Sequence, residues 1–375
     1  MAHYKIRCQN LPAAKGPHKL IYNGHGKSGH GNHSMWRKLT TETLIFDWSK
    51  FHPRAALSCV PAIAVSLAVG LSTGHVRQGV AAAAGAFSVG FGSFQRLRDS
   101  RRVPMLLASG VMCVSSWIGA MAGLSSTGSV LACTFWGFLY GTVWTLSPGA
   151  AWIALQGVVW LVISTAYPAH GLSALTRGSM VLAGGLLQMF FVLAFWQISG
   201  SVTPPFGGVN QNGEPETFSN AIQGGWDQRL QAVRAAVVLA IAAALYRWLA
   251  IPNGYWIPMT AAIVMKGTLR QTFQRGLARI VGTLAGAALA TLIAAGLRPD
   301  PWILAALVVI FAGSCYLLIY VNYATFAVCL TSYVVFLLAL AGLPESGLIA
   351  HRSLSTVLGG AVALTVHAAF SPMEK

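Results

Sequence analysis

Apolar runs of a length suited to crossing a lipid bilayer recur along most of this chain, and they constrain its fold more than any other feature. A helix needs about 20 apolar residues to span the hydrocarbon core. Hydrophobic residues make up 55% of the chain and charged residues only 9%, against about 25% charged residues in soluble domains. The period-two alternation typical of membrane barrels is absent. The pattern predicts an all-α polytopic membrane protein with about twelve transmembrane helices.

The apolar runs fall into two groups of six. The first group lies at 55–71, 79–92, 104–123, 130–146, 151–166 and 178–198. The second group lies at 230–250, 255–265, 277–296, 302–320, 323–342 and 353–370. Each group has a long run, a short Ala-rich run, an Arg cluster and then a run rich in small residues. Because six is an even number, this layout predicts two parallel six-helix repeats.

Composition also divides the chain into segments. The predicted order is a polar, disordered cytoplasmic N-terminus with an interfacial helix (1–52), a first membrane repeat (53–198), a cytoplasmic linker (199–229), a second membrane repeat (230–371) and a tail (372–375). The interfacial helix is expected between Trp36 and Phe51, where aromatic and basic residues mix. The linker contains the turn-rich run PPFGGVNQNGEPE.

The distribution of Lys and Arg predicts the orientation. With the N-terminus inside, the outer side receives only five of the chain's 25 Lys and Arg residues, namely Arg77, Arg177, Arg247, Arg298 and Arg352. The positive-inside rule then places both termini, the Arg96–Arg102 loop and the linker in the cytoplasm. The formal charge of +16 therefore marks a membrane face, and a nucleic-acid partner is not predicted.

All nine Asp and Glu residues fall outside the predicted spans, which argues against a carboxylate-based proton relay or cation site in the bilayer. The chargeable groups near membrane depth are basic instead: Arg77, Arg247, Lys266, Arg270, His75 and His367. Such groups favour anions, although each cation could also reach lipid phosphate. For His367 the favoured interpretation is a hydrogen bond to a neighbouring helix. Enzyme motifs such as HExxH or a P-loop are absent, so neither an enzyme, a cofactor nor a metal site is predicted.

One stretch, 254–286, combines several unusual features. Its short apolar run is followed by Lys266, Arg270, Arg275 and Arg279, whose spacing places them on roughly one side of a helix. Gly282 and Gly286 form a GxxxG pair, which predicts close contact with another helix.

Residues in and beside this stretch carry a resemblance to a known family. They are Pro252, Gly254, Tyr255, Trp256, Thr260, Arg275, Arg279, Gly282, Thr283 and Gly286. Together they resemble the fusaric acid resistance (FUSC) family, to which bacterial aromatic-acid exporters belong and to which plant aluminium-activated malate transporters are distantly similar. The order of apolar and basic segments extends the resemblance from about residue 50 to the C-terminus. The first half departs from the motif, with His75-Val76 in place of the aromatic pair.

The resemblance implies an inner-membrane transporter of bacteria that exports small organic, in particular aromatic, anions. It also implies the proton-motive force as the energy source and a periplasmic adaptor protein as a partner, beside the lipid bilayer itself. Whether the chain forms a homo-oligomer stays open. Two alternatives are an anion channel of the malate-transporter type and a non-transporting membrane scaffold. For the site, we expect Lys266 and Arg270 to bind the anion and Trp256 and Tyr255 to shape its pocket.

Overall fold

The computed structural model of the protein describes residues 46–97, 99–199, 226–343 and 348–370, and within these ranges the chain is almost entirely helical. The helices are α1 (Pro53–Ser72), α2 (Val76–Gly90), α3 (Arg102–Ala122), α4 (Ser126–Trp144), α5 (Pro148–Thr165), α6 (Gly171–Ser199), α7 (Trp226–Leu249), α8 (Trp256–Val264), α9 (Leu269–Leu297), α10 (Pro301–Leu318), α11 (Tyr323–Leu340) and α12 (Leu348–Phe370). Helix α1 is interrupted between Cys59 and Pro61, because a proline inside a helix removes one backbone hydrogen bond.

Nine helices in the described ranges are long and apolar enough to cross a membrane. Helices α2 and α8 fall short because they contain only 15 and nine residues; α4 is also outside this set. The prediction of an all-helical membrane protein is therefore confirmed. The predicted spans correspond one to one with the twelve helices.

Side-chain caps fix where several of these helices begin. The caps are Ser125, Ser147, Thr268, Asp300 and Asn322, whose side-chain oxygens accept hydrogen bonds from backbone N–H groups of the first turn. Each such cap stabilises a helix start by about 1 kcal/mol. The cap at Thr268 matters most for the site, because it starts α9 after Lys266 rather than before it.

The same pairs of helices pack against each other in both halves of the chain. In the first half α2 packs on α1 and α6, α3 packs on α5 and α6, and α4 packs on α5. In the second half α8 packs on α7 and α12, α9 packs on α11 and α12, and α10 packs on α11. The two halves meet where α4 packs on α7 and α10 packs on α1.

Glycines allow the closest of these contacts. A Cβ atom at Gly184 of α6 would lie 1.9 Å from the carbonyl oxygen of Ala82 in α2. A Cβ atom at Gly359 of α12 would lie 2.4 Å from the carbonyl oxygen of Ile257 in α8. Since no side chain fits at such distances, glycine permits each short helix to lie directly against the last helix of its half.

The GxxxG pair makes the contact that the sequence predicts. A Cβ atom at Gly282 would lie 2.5 Å from the Cβ atom of Ala327, and one at Gly286 would lie 2.4 Å from the carbonyl oxygen of Val328. Both neighbours belong to α11, so the predicted close helix contact is confirmed.

The loops collect at two ends of the bundle. We call one the basic end, because it carries the α2–α3 loop, the α8–α9 loop with Lys266, and the α10–α11 loop. The Gln95 side chain donates to the Tyr320 hydroxyl across this end, at 3.3 Å. At the opposite end, Arg247 donates to the carbonyl of Gly123, at 2.7 Å.

Several predictions concern residues outside the described ranges. The residues concerned are 1–45, which make up most of the N-terminal segment, the core of the linker (200–225), Arg98 and the C-terminal residues 371–375. Of the predicted interfacial helix, the described residues contain a short 3-10 turn at Trp48–Lys50. The predicted segment boundaries at 52, 199, 229 and 371 stay predictions.

Candidate functional site

The α8–α9 loop positions Lys266 at the basic end. Helix α8 ends at Val264, and Met265 is extended (ψ 129°). The backbone N–H of Lys266 donates to the Thr272 hydroxyl at 3.0 Å, and the guanidinium of Arg234 donates to the Lys266 carbonyl at 3.3 Å. Contacts from α7 and α9 therefore hold the lysine backbone in place.

Lys266 lines a cleft of about 460 Å³ between the start of α9 and the α10–α11 loop. Its lining also includes Gln271, Gln274, Arg275, Ala278, Ile319, Tyr320, Val321, Asn322 and Tyr323. The Arg275 guanidinium lies over the Tyr323 ring, 3.9 Å from its centre. Cations and aromatic rings therefore line the same cleft, which suits an anion with an apolar or aromatic body.

The charge of Lys266 is costly in this position. Burial, and then the positive charge of Arg275, lower the pKa of Lys266 to about 7. Its Nζ atom lies 5.4 Å from the centre of the Trp144 ring, a contact that favours the charged form. A bound anion would favour that form as well.

Arg270 does not join Lys266 in this cleft. Its side chain is exposed at the start of α9, whereas Arg275 lines the cleft. Five residues along a helix correspond to a rotation of about 140°, so the two arginines point in different directions. The spacing of Lys266 and Arg270 would place them on one side of a helix only if Lys266 were helical, but α9 begins only after Thr268.

Tyr255 and Trp256 are both buried, with ring centres 5.2 Å apart. The Trp256 ring lies under the guanidinium of Arg352 at 3.9 Å, and the Tyr255 ring lies 6.1 Å from that of Tyr167. Helix α8, about 14 Å long, separates this pair from Lys266. The structure therefore distributes the four predicted residues over three places instead of one pocket.

Sequence reasoning missed the burial of two arginines. The charge distribution predicts Arg352 on the outer side and Arg279 on the inner side, yet their exposed fractions are 1% and 2%. A signal was present in the sequence, because each arginine has a hydroxyl residue at helical spacing, Thr283 after Arg279 and Ser355 after Arg352. Polar residues at this spacing in apolar helices indicate a face turned inward.

The other residues of the family motif include buried hydroxyl groups, glycines at close backbone contacts and a loop proline. Thr260 and Thr283 are buried, while Pro252 is exposed in the α7–α8 loop. At Gly254, a Cβ atom would lie 2.9 Å from the carbonyl oxygen of Ile251. The motif therefore combines tight backbone contacts with buried polar groups.

His367 makes the interhelical hydrogen bond that the sequence favours. Its Nε2 atom lies 3.4 Å from Nη1 of Arg234 in α7. Because a guanidinium can only donate, Nε2 accepts, and the ring is neutral in this arrangement. Of the remaining candidate cations, Arg77 is exposed and Arg247 lies at the opposite end. Among the described residues, no three His, Cys, Asp or Glu side chains group as metal ligands.

Among known proteins, residues 239–366 match the family model described as "Fusaric acid resistance protein-like". Neither the curated proteins nor the solved structures gave a match. The matched region runs from α7 into α12 and contains Trp256, Lys266, Arg279 and Arg352. The chain is a multi-pass membrane protein whose residues 239–366 are similar to the fusaric acid resistance protein-like family.

Proposed function

We propose that this protein exports small organic anions, in particular aromatic carboxylates, and that the basic cleft is the inner mouth of their route. The observation that carries the proposal is the cleft itself. Lys266 and Arg275 line it, and no carboxylate is among its lining residues. In the described part of the chain the ion pair found is Lys50–Asp47, outside the cleft. Two cations without an acidic partner favour an anionic ligand.

The walls of the cleft favour an aromatic body on that anion. Tyr320 and Tyr323 supply ring faces, and Gln271, Gln274 and Asn322 supply polar groups at the rim. A carboxylate held by Lys266 gains a charge-assisted hydrogen bond, worth about 1.4 kcal/mol or more, which corresponds to roughly tenfold in affinity. The role as exporter also draws on the family match, since that family suggests transport across a membrane.

The proposed architecture is two parallel six-helix repeats, 53–198 and 230–371, in a bacterial inner membrane. The similar packing pairs in the two halves support the duplication. The basic end faces the cytoplasm in this proposal, as the positive-inside rule requires. The proton-motive force drives export, and a periplasmic adaptor protein receives the substrate.

Uptake into inverted membrane vesicles tests the proposal. Wild-type vesicles with an imposed proton gradient should accumulate benzoate, and the screen should include aliphatic acids. Lys266→Gln and Arg275→Gln should each reduce uptake about tenfold at equal protein level. Arg77→Gln is the matched control, because it removes an exposed cation remote from the cleft.

Each outcome has a separate meaning. Benzoate flux that ignores the proton gradient would replace the exporter with a channel. Absence of flux for every acid tested would favour the membrane scaffold. Normal flux in both cleft variants would mean that Lys266 and Arg275 act only as topology signals.

A further inference from the structure

Two arginines lie buried inside the second half, and some of their donor groups have no hydrogen-bond partner among the described residues. In Arg279 of α9, Nε and Nη1 are buried and donate to none of the described residues. In Arg352 of α12, Nη1 is in the same condition, while Nη2 contacts the Thr331 hydroxyl at 3.5 Å. The two guanidinium groups are close enough to interact electrostatically.

Helices α9 and α12, which carry this pair, and α8 beside them contain further buried polar groups. The hydroxyls of Thr260, Thr283 and Ser355 and the indole N–H of Trp256 are buried without a hydrogen-bond partner in the described part of the chain. They come from α8, α9 and α12, which pack on one another. The Trp256 ring supports the Arg352 guanidinium at 3.9 Å. Three mutually packed helices thus contribute buried polar groups in addition to the two cations.

This arrangement is unfavourable without a ligand. An unpaired buried charge is unfavourable, and repulsion between two like charges adds to that cost. Buried donors that make no hydrogen bond add to that cost. A bound carboxylate would offset all three terms, since it can accept the forked hydrogen bonds of a guanidinium and the hydroxyl hydrogen bonds together.

We propose that Arg279 and Arg352 form a second, desolvated anion site that binds the carboxylate of the transported anion. Arg275 lines the cleft, and Arg279 follows it by one helical turn on the same side of α9. The site formed by Arg279 and Arg352, here called the deep site, is therefore the next binding site for an anion that leaves the cleft. This inference rests on the proposed function for the identity of its ligand, but the site itself rests on the buried donors.

Thermal unfolding of the purified full-length protein in detergent tests the site, with benzoate as the probe in chloride-free buffer. Benzoate should raise the unfolding temperature of the wild type, because a ligand that binds only the folded state stabilises it. Arg279→Gln and Arg352→Gln should weaken the apparent affinity at least tenfold. Arg352→Lys should restore part of it, because an ammonium keeps the charge but loses the fork. Arg77→Gln should match the wild type.

A second variant separates binding from a structural role. Arg279→Met removes an unpaired buried charge and strands no partner, so the anion-free protein should unfold at the wild-type temperature or above it. Its apparent affinity for benzoate should fall at least tenfold, to what the cleft alone provides. An arginine that merely supported the fold would instead give a lower unfolding temperature without ligand, and that result would overturn the site.

The readouts distinguish failure of the site from failure of the proposed function. Vesicles that accumulate benzoate with Arg279→Gln and Arg352→Gln as well as with the wild type would refute the deep site and leave the transporter intact. If these variants lose benzoate binding but the wild-type protein transports no anion, the site would stand and transport would be refuted. Binding weakened by less than threefold in both variants would also refute the site.

Discussion

The helices pack in similar pairs in the two halves of the molecule, but the side chains buried between them differ. In each half a short helix lies directly against a glycine of the last helix, at Gly184 in the first half and at Gly359 in the second. About two helical turns before each glycine stands an arginine. Arg177 is half-buried and donates to the carbonyl of Tyr167, whereas Arg352 is fully buried with an unpartnered donor.

The interior beside α2 is neutral where the interior beside α8 is cationic. Phe87 of α2 stacks on Tyr333 with ring centres 4.1 Å apart, and the Tyr316 hydroxyl donates to the Phe87 carbonyl at 2.7 Å. In the second half, α9 and α12 bury Arg279 and Arg352. The packing of the helices and the polarity of the interior are therefore separable: glycines set the first, and a few buried polar side chains set the second.

The largest effect should come from breaking the shared helix packing. Gly184→Ala and Gly359→Ala each place a Cβ atom within 2.4 Å of a backbone carbonyl oxygen, which forces the helices apart because backbone cannot move aside. We expect both variants to lose most of their folded protein, measured by detergent-solubilised yield and unfolding temperature. Gly360→Ala is the matched control, since nothing lies within 4 Å of its Cβ position. Equal yield for all three would show that the helix packing does not depend on these contacts.

The next effect concerns the arginine of each half. Arg352→Gln should reduce benzoate transport about tenfold or more, whereas Arg177→Gln should stay within about twofold of the wild type. The reason is that Arg177 already has a carbonyl acceptor, while Arg352 has a donor left for a ligand. Initial rates in vesicles at matched protein level provide the measurement. Equal losses in the two variants would mean that both halves conduct.

A smaller effect is expected from pH. With the pKa of Lys266 at about 7, its cation is present below pH 7 and is lost as the pH rises through that value. Benzoate affinity at the cleft should therefore fall several-fold between about pH 6 and pH 8. In Lys266→Gln that fall should disappear, and Arg77→Gln should keep it. A pH profile unchanged by Lys266→Gln would assign the titration to another group.

The smallest effect should separate two tyrosines at the boundary between the halves. Tyr316→Phe removes a donor from the Phe87 carbonyl and should destabilise the protein by about 1 kcal/mol. Tyr333→Phe removes a hydroxyl that has no partner among the described residues, so its unfolding temperature should equal or exceed the wild-type value. Unfolding curves recorded in parallel decide between them, and the reverse order of stabilities would contradict the hydrogen-bond assignment.

The sequence by itself determined the helices and the contact made by the GxxxG pair. Apolar runs predicted the twelve described helices, and those of spanning length need no tertiary context to be recognised. Small residues at Gly282 and Gly286 predicted a close helix contact for a similar local reason. The sequence also singled out the loop cation Lys266, because a lysine directly after a short apolar run is unusual; it lines the cleft, and its role in anion binding stays a prediction.

Only the tertiary structure decided which cations face inward. Most helices here are apolar all round, so they carry no amphipathic signal to say which face meets protein and which meets lipid. Arg279 and Arg352 are more than 70 residues apart in the chain, and their approach depends on how α9 and α12 pack. The same is true of Trp256, which the sequence placed beside Lys266 and the fold placed under Arg352, because the length of α8 keeps its two ends apart.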